Sequence, residues 1–295
     1  MMDIFYVDSH RFLSTSKASY DGSIKFLEAH KEHSDRWCLL SLVAHQALEE
    51  AAPSTFEALE KIGHFPFVEA RMDFELACNY ALHGLYKTVY HHLRSFFELY
   101  LVGIYFLSNE TKNRDAHDWL EGQSNTPRMQ RIIDGLFREN NFNLASQEFN
   151  FKEQLNKLYW KLCDVVHTKG RIKGHMALSH SSQAQFIPDS LVEYIDVLHE
   201  CIESVSIAFI LRSPVLLIGL PLFQKFGLNP PASGFLEQDG VDLLRSVIAP
   251  ERLKVLDAVA ADDDFARDAK EWVMERPDVT TEEIEAQIKR FKDSI

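Results

Sequence analysis

Forty consecutive residues, Val68 to Leu107, carry apolar positions at helical spacing with no proline and only two glycines, Gly84 in the interior and Gly103 near the end. Recurrence at i, i+3 and i+4 lines one face of a 3.6-residue turn, and strand-like alternation is scarce elsewhere in the chain. The run predicts either one long helix or two joined near Gly84. With 46% hydrophobic residues and 21 phenylalanines, the chain has the apolar bulk to bury such a helix among others. The expected fold class is therefore all-α, an antiparallel helical bundle with additional N- and C-terminal helices.

The rest of the chain extends that pattern. Residues 35–51 place Trp37, Leu40, Val43 or Ala44, and Ala47 on one face, and Pro53 and Ser54 stop this helix. TFEALEKIG reads as a short helix, and 108–126 as a polar loop with a brief helix around Asp118–Leu120. Thr126 and Pro127 read as N-cap and first position of a helix over 127–139. Phe149–His167 is the next helix, with Gly170 as its stop, and 171–187 is irregular. Asp189 or Ser190 would cap a helix over Leu191–Leu211, and short helices follow at 239–247, 250–260, 263–275 and 280–294. Thr280 and Glu283 have the spacing of a capping box for the last. Soft boundaries then divide the chain into an N-terminal helical segment (1–67), a central bundle (68–214) and an acidic C-terminal helical module (215–295).

One stretch looks suited to a membrane, VSIAFILRSPVLLIGLPLF from Val205 to Phe223. Arg212 in its middle and prolines at 214 and 221 argue against a span, since a central arginine is costly there. A core helix ending near Ser213, followed by a buried apolar turn, is the expectation. The four cysteines are far apart, form no CxxC pair and lie in apolar helical patterns, so they read as buried, reduced thiols. The N-terminus shows no basic start before an apolar block. Together these point to a cytoplasmic protein without membrane contact.

A formal net charge of −13 opposes nucleic acid and anionic membrane in bulk. The balance is uneven. From Glu237 onward 16 acids face nine bases, whereas Asn150 to His175 holds six Lys/Arg against two acids. The acidic end suggests a module that docks a basic protein partner or mimics nucleic-acid charge, although the run Asp262–Asp264 also suits a helix cap.

Familiar nucleotide, zinc-protease and hydrolase signatures are absent: there is no GxGxxG, GxxxxGK[ST], HExxH, GxSxG or CxxC. No cofactor is implied. Two other features carry chemistry. His83, Lys87, His91, Arg94 and Glu98 recur three or four apart, which predicts one polar stripe on an otherwise apolar helix. It reads either as a solvated face or as a seam lining a cleft. The second feature is KLCDVVHTKGRIKGH, Lys161 to His175. His167 falls in a last helical turn with Asp164 one turn before it, and Lys169, Arg171, Lys173 and His175 follow. A histidine beside cations can move the proton of a 2′-hydroxyl while arginine or lysine stabilises phosphorane charge, without a metal. Asp164 and His167 alone make a poor metal site.

The segments ALHGLYKTVYHHLRSFFELYL and LYWKLCDVVHTKG resemble the HEPN superfamily, helical proteins frequent in prokaryotic toxin–antitoxin and phage-defence systems. The first looks like that family's long helix with a polar Arg–Glu face, the second like its helix ending in R-x4–6-H. The likeness covers about 68–214. His167 matches the motif histidine, while the arginine position is approximated by Lys161, which lacks the bidentate fork. Arg94 is a candidate for supplying that guanidinium from a facing helix. The resemblance implies a homodimeric, metal-independent endoribonuclease or an RNA-binding relative. His167, Lys161, Arg94, Asp164 and Glu98 are then the catalytic candidates, and Lys169, Arg171, Lys173, His175, His91 and Lys87 the RNA-binding ones. The alternative is a non-enzymatic scaffold that works through the acidic C-terminal module.

Overall fold

A computed structural model describes residues 2–51, 62, 64–108, 113–167, 184–227 and 234–293. Among them every regular element is helical. Helix α1 spans Met2–Ala29, and α2 (Lys31–Leu42) runs on through a π-helical turn at Val43–Ala47 into Leu48–Glu50. Then come α3 (Phe65–Leu82), α4 (Tyr86–Leu107), α5 (Asn113–Leu120), α6 (Met129–Leu136), α7 (Asn140–Phe149), α8 (Phe151–Val166) and α9 (Pro188–Arg212). The C-terminal elements are α10 (Leu222–Phe226), α11 (Gln238–Ser246), α12 (Pro250–Asp262), α13 (Asp264–Met274) and α14 (Thr281–Asp293).

Gly84 settles the choice left open for the long run: two helices, not one. Its φ is +69°, and a Cβ there would lie 2.3 Å from the Gln185 carbonyl oxygen and 2.4 Å from Ser19 Oγ. Both the left-handed backbone and the close approach exclude a side chain. This corrects the expected stripe, because His83 caps the end of α3 and turns its Nδ1 to Ser16 Oγ on α1, 2.8 Å away. Gly84→Ala should lower unfolding free energy by about 2–3 kcal/mol, the left-handed cost plus overpacking. A urea midpoint equal to wild type would show that the turn tolerates a side chain.

Helix α4 is the centre of the molecule, with residues such as Leu93, Phe96, Phe97 and Leu101 fully buried. Ring contacts give its neighbours' directions. Phe74 lies 6.0 Å from Phe96 and Phe67 5.6 Å from Tyr100, so α3 runs antiparallel to α4. Near the start of α4 the Tyr86 hydroxyl donates to the Ile187 carbonyl (3.1 Å), and near its end Tyr100 meets Phe209 (5.7 Å). Helix α9 therefore runs parallel to α4. Burial raises the Tyr86 phenol to about 12, so that donor stays protonated.

Residues 205–217 behave as expected of a core helix and buried turn. Helix α9 ends at Arg212, and Val215 and Leu216 in the following 3₁₀ turn are buried. Arg212 donates from Nε (3.0 Å) and from Nη2 to the Leu107 carbonyl, satisfying an end of α4 that would otherwise carry unpaired acceptors. Among the described residues no helix is long and apolar enough to cross a membrane.

Several local expectations need correction. The cap of α6 is Arg128, not Thr126, whose Oγ1 instead accepts from Trp119 Nε1 at 3.0 Å. Helix α6 ends at Leu136, and α7 was unforeseen; Asn150, at φ +56°, turns the chain from it into α8. Ile187 and Pro188 open α9, leaving Asp189 in the first turn rather than at the cap. Cys38 is exposed and Cys78 half-buried, while Cys163 and Cys201 are buried, and all four are unpaired. The TFEALEKIG segment, apart from Ile62, falls outside the described residues.

The expected boundaries at 67/68 and 214/215 do not separate cores. One apolar cluster joins Trp37 and Leu48 to α3, α4, α8 and α9 and reaches Leu244 and Leu256; a smaller one gathers Val215, Leu220, Leu222, Ala266 and Val273. Near the C-terminus the chemistry is local. Thr280 N–H donates to Glu283 Oε2 (2.8 Å) and Glu283 N–H to Thr280 Oγ1 (3.3 Å), completing the capping box. Asp263 Oδ1 accepts from Ala266 N–H at 2.8 Å, so part of the aspartate run caps α13.

Candidate functional site

Helix α8 packs against α4, and the two bring polar side chains together. Arg94 on α4 donates from Nε to Glu98 Oε1 one turn on, at 2.7 Å. Its Nη1 reaches across to His167 Nε2 at 3.0 Å. His167 ends α8, with its N–H bonded to the Cys163 carbonyl at 2.8 Å. The guanidinium carbon also lies 5.6 Å from the centre of the Tyr159 ring. One carboxylate and one aromatic face thus hold the arginine, and the arginine holds the histidine.

Arginine has donors and no acceptor, so in this contact Nε2 of His167 is the accepting atom. The pair is accessible: the Arg94 and Glu98 side chains keep 23% and 29% of their exposure, and His167 is exposed. Burial raises the Cys163 thiol, against opposing influences from Tyr159 and Arg94, so this cysteine is a neutral neighbour rather than a thiolate.

His91 and Lys87 lie one and two turns before Arg94 on α4. Burial lowers the His91 proton affinity, and the charges of Lys87, His92, Arg94 and His167 lower it further. Because the folded value is depressed, the unfolded chain binds more protons between the two values. The associated stability is present above the ordinary histidine range and is lost as pH falls through the folded value. An NMR titration should place His91 below the ~6.5 of a free histidine, and Lys87→Met should move it upward. A titration at or above the free value would remove this account of the site's charge.

The other candidates separate. Lys161, six positions before His167, is rotated from it by roughly 240° on a helix. Its Nζ pairs with Glu200 of α9 at 2.9 Å. The cation that meets His167 is Arg94. Asp164 borders a surface groove with Lys157, Trp160 and Lys161. Lys169, Arg171, Lys173 and His175 lie outside the described residues. Sequence reasoning missed Tyr159 and Cys163, although their spacing of four from each other and from His167 marks one face. It also missed the pair of His92 Nδ1 and Asp73 Oδ1, 2.6 Å apart, beneath a stacked Tyr80.

Chemically, the site offers a fixed guanidinium for an anion and an imidazole lone pair beside it. Among the described residues no group of three His, Cys, Asp or Glu side chains is placed to hold a metal. The chain matches no protein-family model, no curated protein and no solved structure.

Proposed function

We propose that this chain is a HEPN-like RNA-binding protein with metal-independent ribonuclease chemistry, belonging to a prokaryotic defence or stress system. The observation that carries the reading is the 3.0 Å contact between Arg94 and His167 across α4 and α8. A phosphodiester entering the site competes for the guanidinium and frees Nε2. His167 then takes the 2′-hydroxyl proton at that atom while the 2′-oxygen attacks phosphorus. Arg94, steadied by Glu98, stabilises the extra phosphorane charge, and an imidazolium returns a proton to the departing 5′-oxygen. His91, one turn before Arg94 on the same helix, is the second histidine this reading offers for the proton work. A homodimer that brings two such sites into one cleft belongs to the same reading.

The test is cleavage of a labelled RNA pool by purified protein in chelator, with His167→Ala prepared in parallel. Loss of cleavage in the variant supports the reading, and an intact pool with wild type removes it. A second reading, a scaffold working through the acidic C-terminal module, draws on a half-open apolar cavity of about 230 Å³ lined by Leu222, Phe226, Phe235 and Trp272. Trp272 is 52% exposed there. Deleting the module is a poor test, because Leu244 and Leu256 belong to the main core; Trp272→Ser leaves that core intact.

A further inference from the structure

On the outer face of α8, Trp160 leaves 59% of its surface in water. Among the described residues no other phenylalanine, tyrosine or tryptophan is as exposed; a lone exposed ring is ordinary in itself, and what sets this one apart is its position. Its surroundings connect it to the site. The indole meets the Tyr159 ring edge-on at 5.3 Å, Tyr159 presents its face to Arg94, and Arg94 donates to His167. Trp160 and His167 are seven residues apart, so they share one face, offset by about 20° and separated by about 10 Å along the axis. That separation is within the span of a dinucleotide.

Beside the indole runs an open groove of about 480 Å³, lined also by Glu153, Asn156, Lys157, Lys161 and Asp164. Its cations are already engaged: Lys157 pairs with Glu153 at 2.8 Å and Lys161 with Glu200 at 2.9 Å. The groove therefore gives little net attraction for phosphates, and the exposed π-face is what it has to offer a ligand. An aromatic face next to a phosphate-binding arginine suits an unpaired base. Duplex strands hide their base faces, whereas single strands present them.

We propose that Trp160 is a base-stacking platform that makes single-stranded RNA the substrate class of the Arg94–His167 site. It holds the base of a nucleotide neighbouring the one whose phosphate meets Arg94. This rests on the ribonuclease reading, so the experiment separates the two.

The probe is a fluorescein-labelled 2′-O-methyl-uridine 12-mer, which keeps bases and phosphates but lacks the attacking hydroxyl. A ribose–phosphate strand of equal length without bases serves beside it. Binding to the full chain is followed by anisotropy. Trp160→Ala should weaken the 12-mer by about 5- to 100-fold, the usual range for one stacked base. Trp160→Phe should recover most of that, and the baseless strand should bind both forms alike. The indole is mostly exposed, so the alanine variant should fold, which a thermal melt checks. If Trp160→Ala binds the 12-mer as wild type does and still cleaves RNA, stacking is wrong and the ribonuclease reading stands. If wild type binds neither strand nor cleaves, both fall. If the variant converts a dimer to a monomer in sedimentation, Trp160 is a subunit contact and the proposal is overturned.

Discussion

His167→Ala is expected to reduce metal-free RNA cleavage by about 10²- to 10⁴-fold, the usual contribution of a positioned general base. The histidine is exposed and packs little, so the loss should appear in the single-turnover rate with the melting temperature nearly unchanged. Arg94→Lys keeps the charge but cannot hold Glu98, the Tyr159 face and His167 at once, as the native guanidinium does. A loss of about 10²-fold is expected there, in line with removal of one preorganised donor. Lys161→Ala should spare the rate at saturating RNA, because its ammonium is engaged with Glu200. The opposite ranking, with Lys161 essential and Arg94 dispensable, would transfer the arginine role to Lys161 and undo the assignment made from the geometry.

Phe209→Ala is expected to cost about 3–5 kcal/mol of unfolding free energy. The ring is 1% exposed and lies 5.2 Å from Phe67 and 5.7 Å from Tyr100. It therefore joins α3, α4 and α9 at one point, where little can collapse into the space it leaves. Urea unfolding monitored by far-UV circular dichroism measures this as a lower midpoint at constant slope. A loss below about 1 kcal/mol would mean that the site relaxes or that α9 is loosely docked. Because the same core extends to α2, α11 and α12, the transition should be single. Two transitions would restore the division into segments that the composition suggested.

Local chemistry was the legible part of this chain. The end of α9 near Ser213 and the Thr280–Glu283 capping box depend on residues within a few positions of each other, and both are found where the spacing placed them. The same reasoning failed where a partner distant in sequence took over. Thr126 was free to cap a helix until Trp119 occupied its hydroxyl, and His83 to continue the stripe until Gly84 turned the chain toward α1. Asn150 gave no strong signal for the turn that splits α7 from α8, since asparagine adopts the left-handed region only when the flanking helices demand it.

The candidate site divides along the same line. His91, Arg94, Glu98 and His167 could be singled out from the sequence because each belongs to a polar pattern on its own helix, set by the 100° step between residues. Which cation would meet His167 could not be read that way. Lys161 is near in the chain but turned away from it, whereas Arg94 is 73 residues distant and 3.0 Å away. That choice belongs to the packing of α8 on α4, which sets the rotation and spacing of two helices and thereby selects among side chains that are equivalent by composition. The helical content follows from local periodicity and turn chemistry; the juxtaposition of Arg94, Tyr159 and His167 follows only from burying the apolar faces of both helices at once.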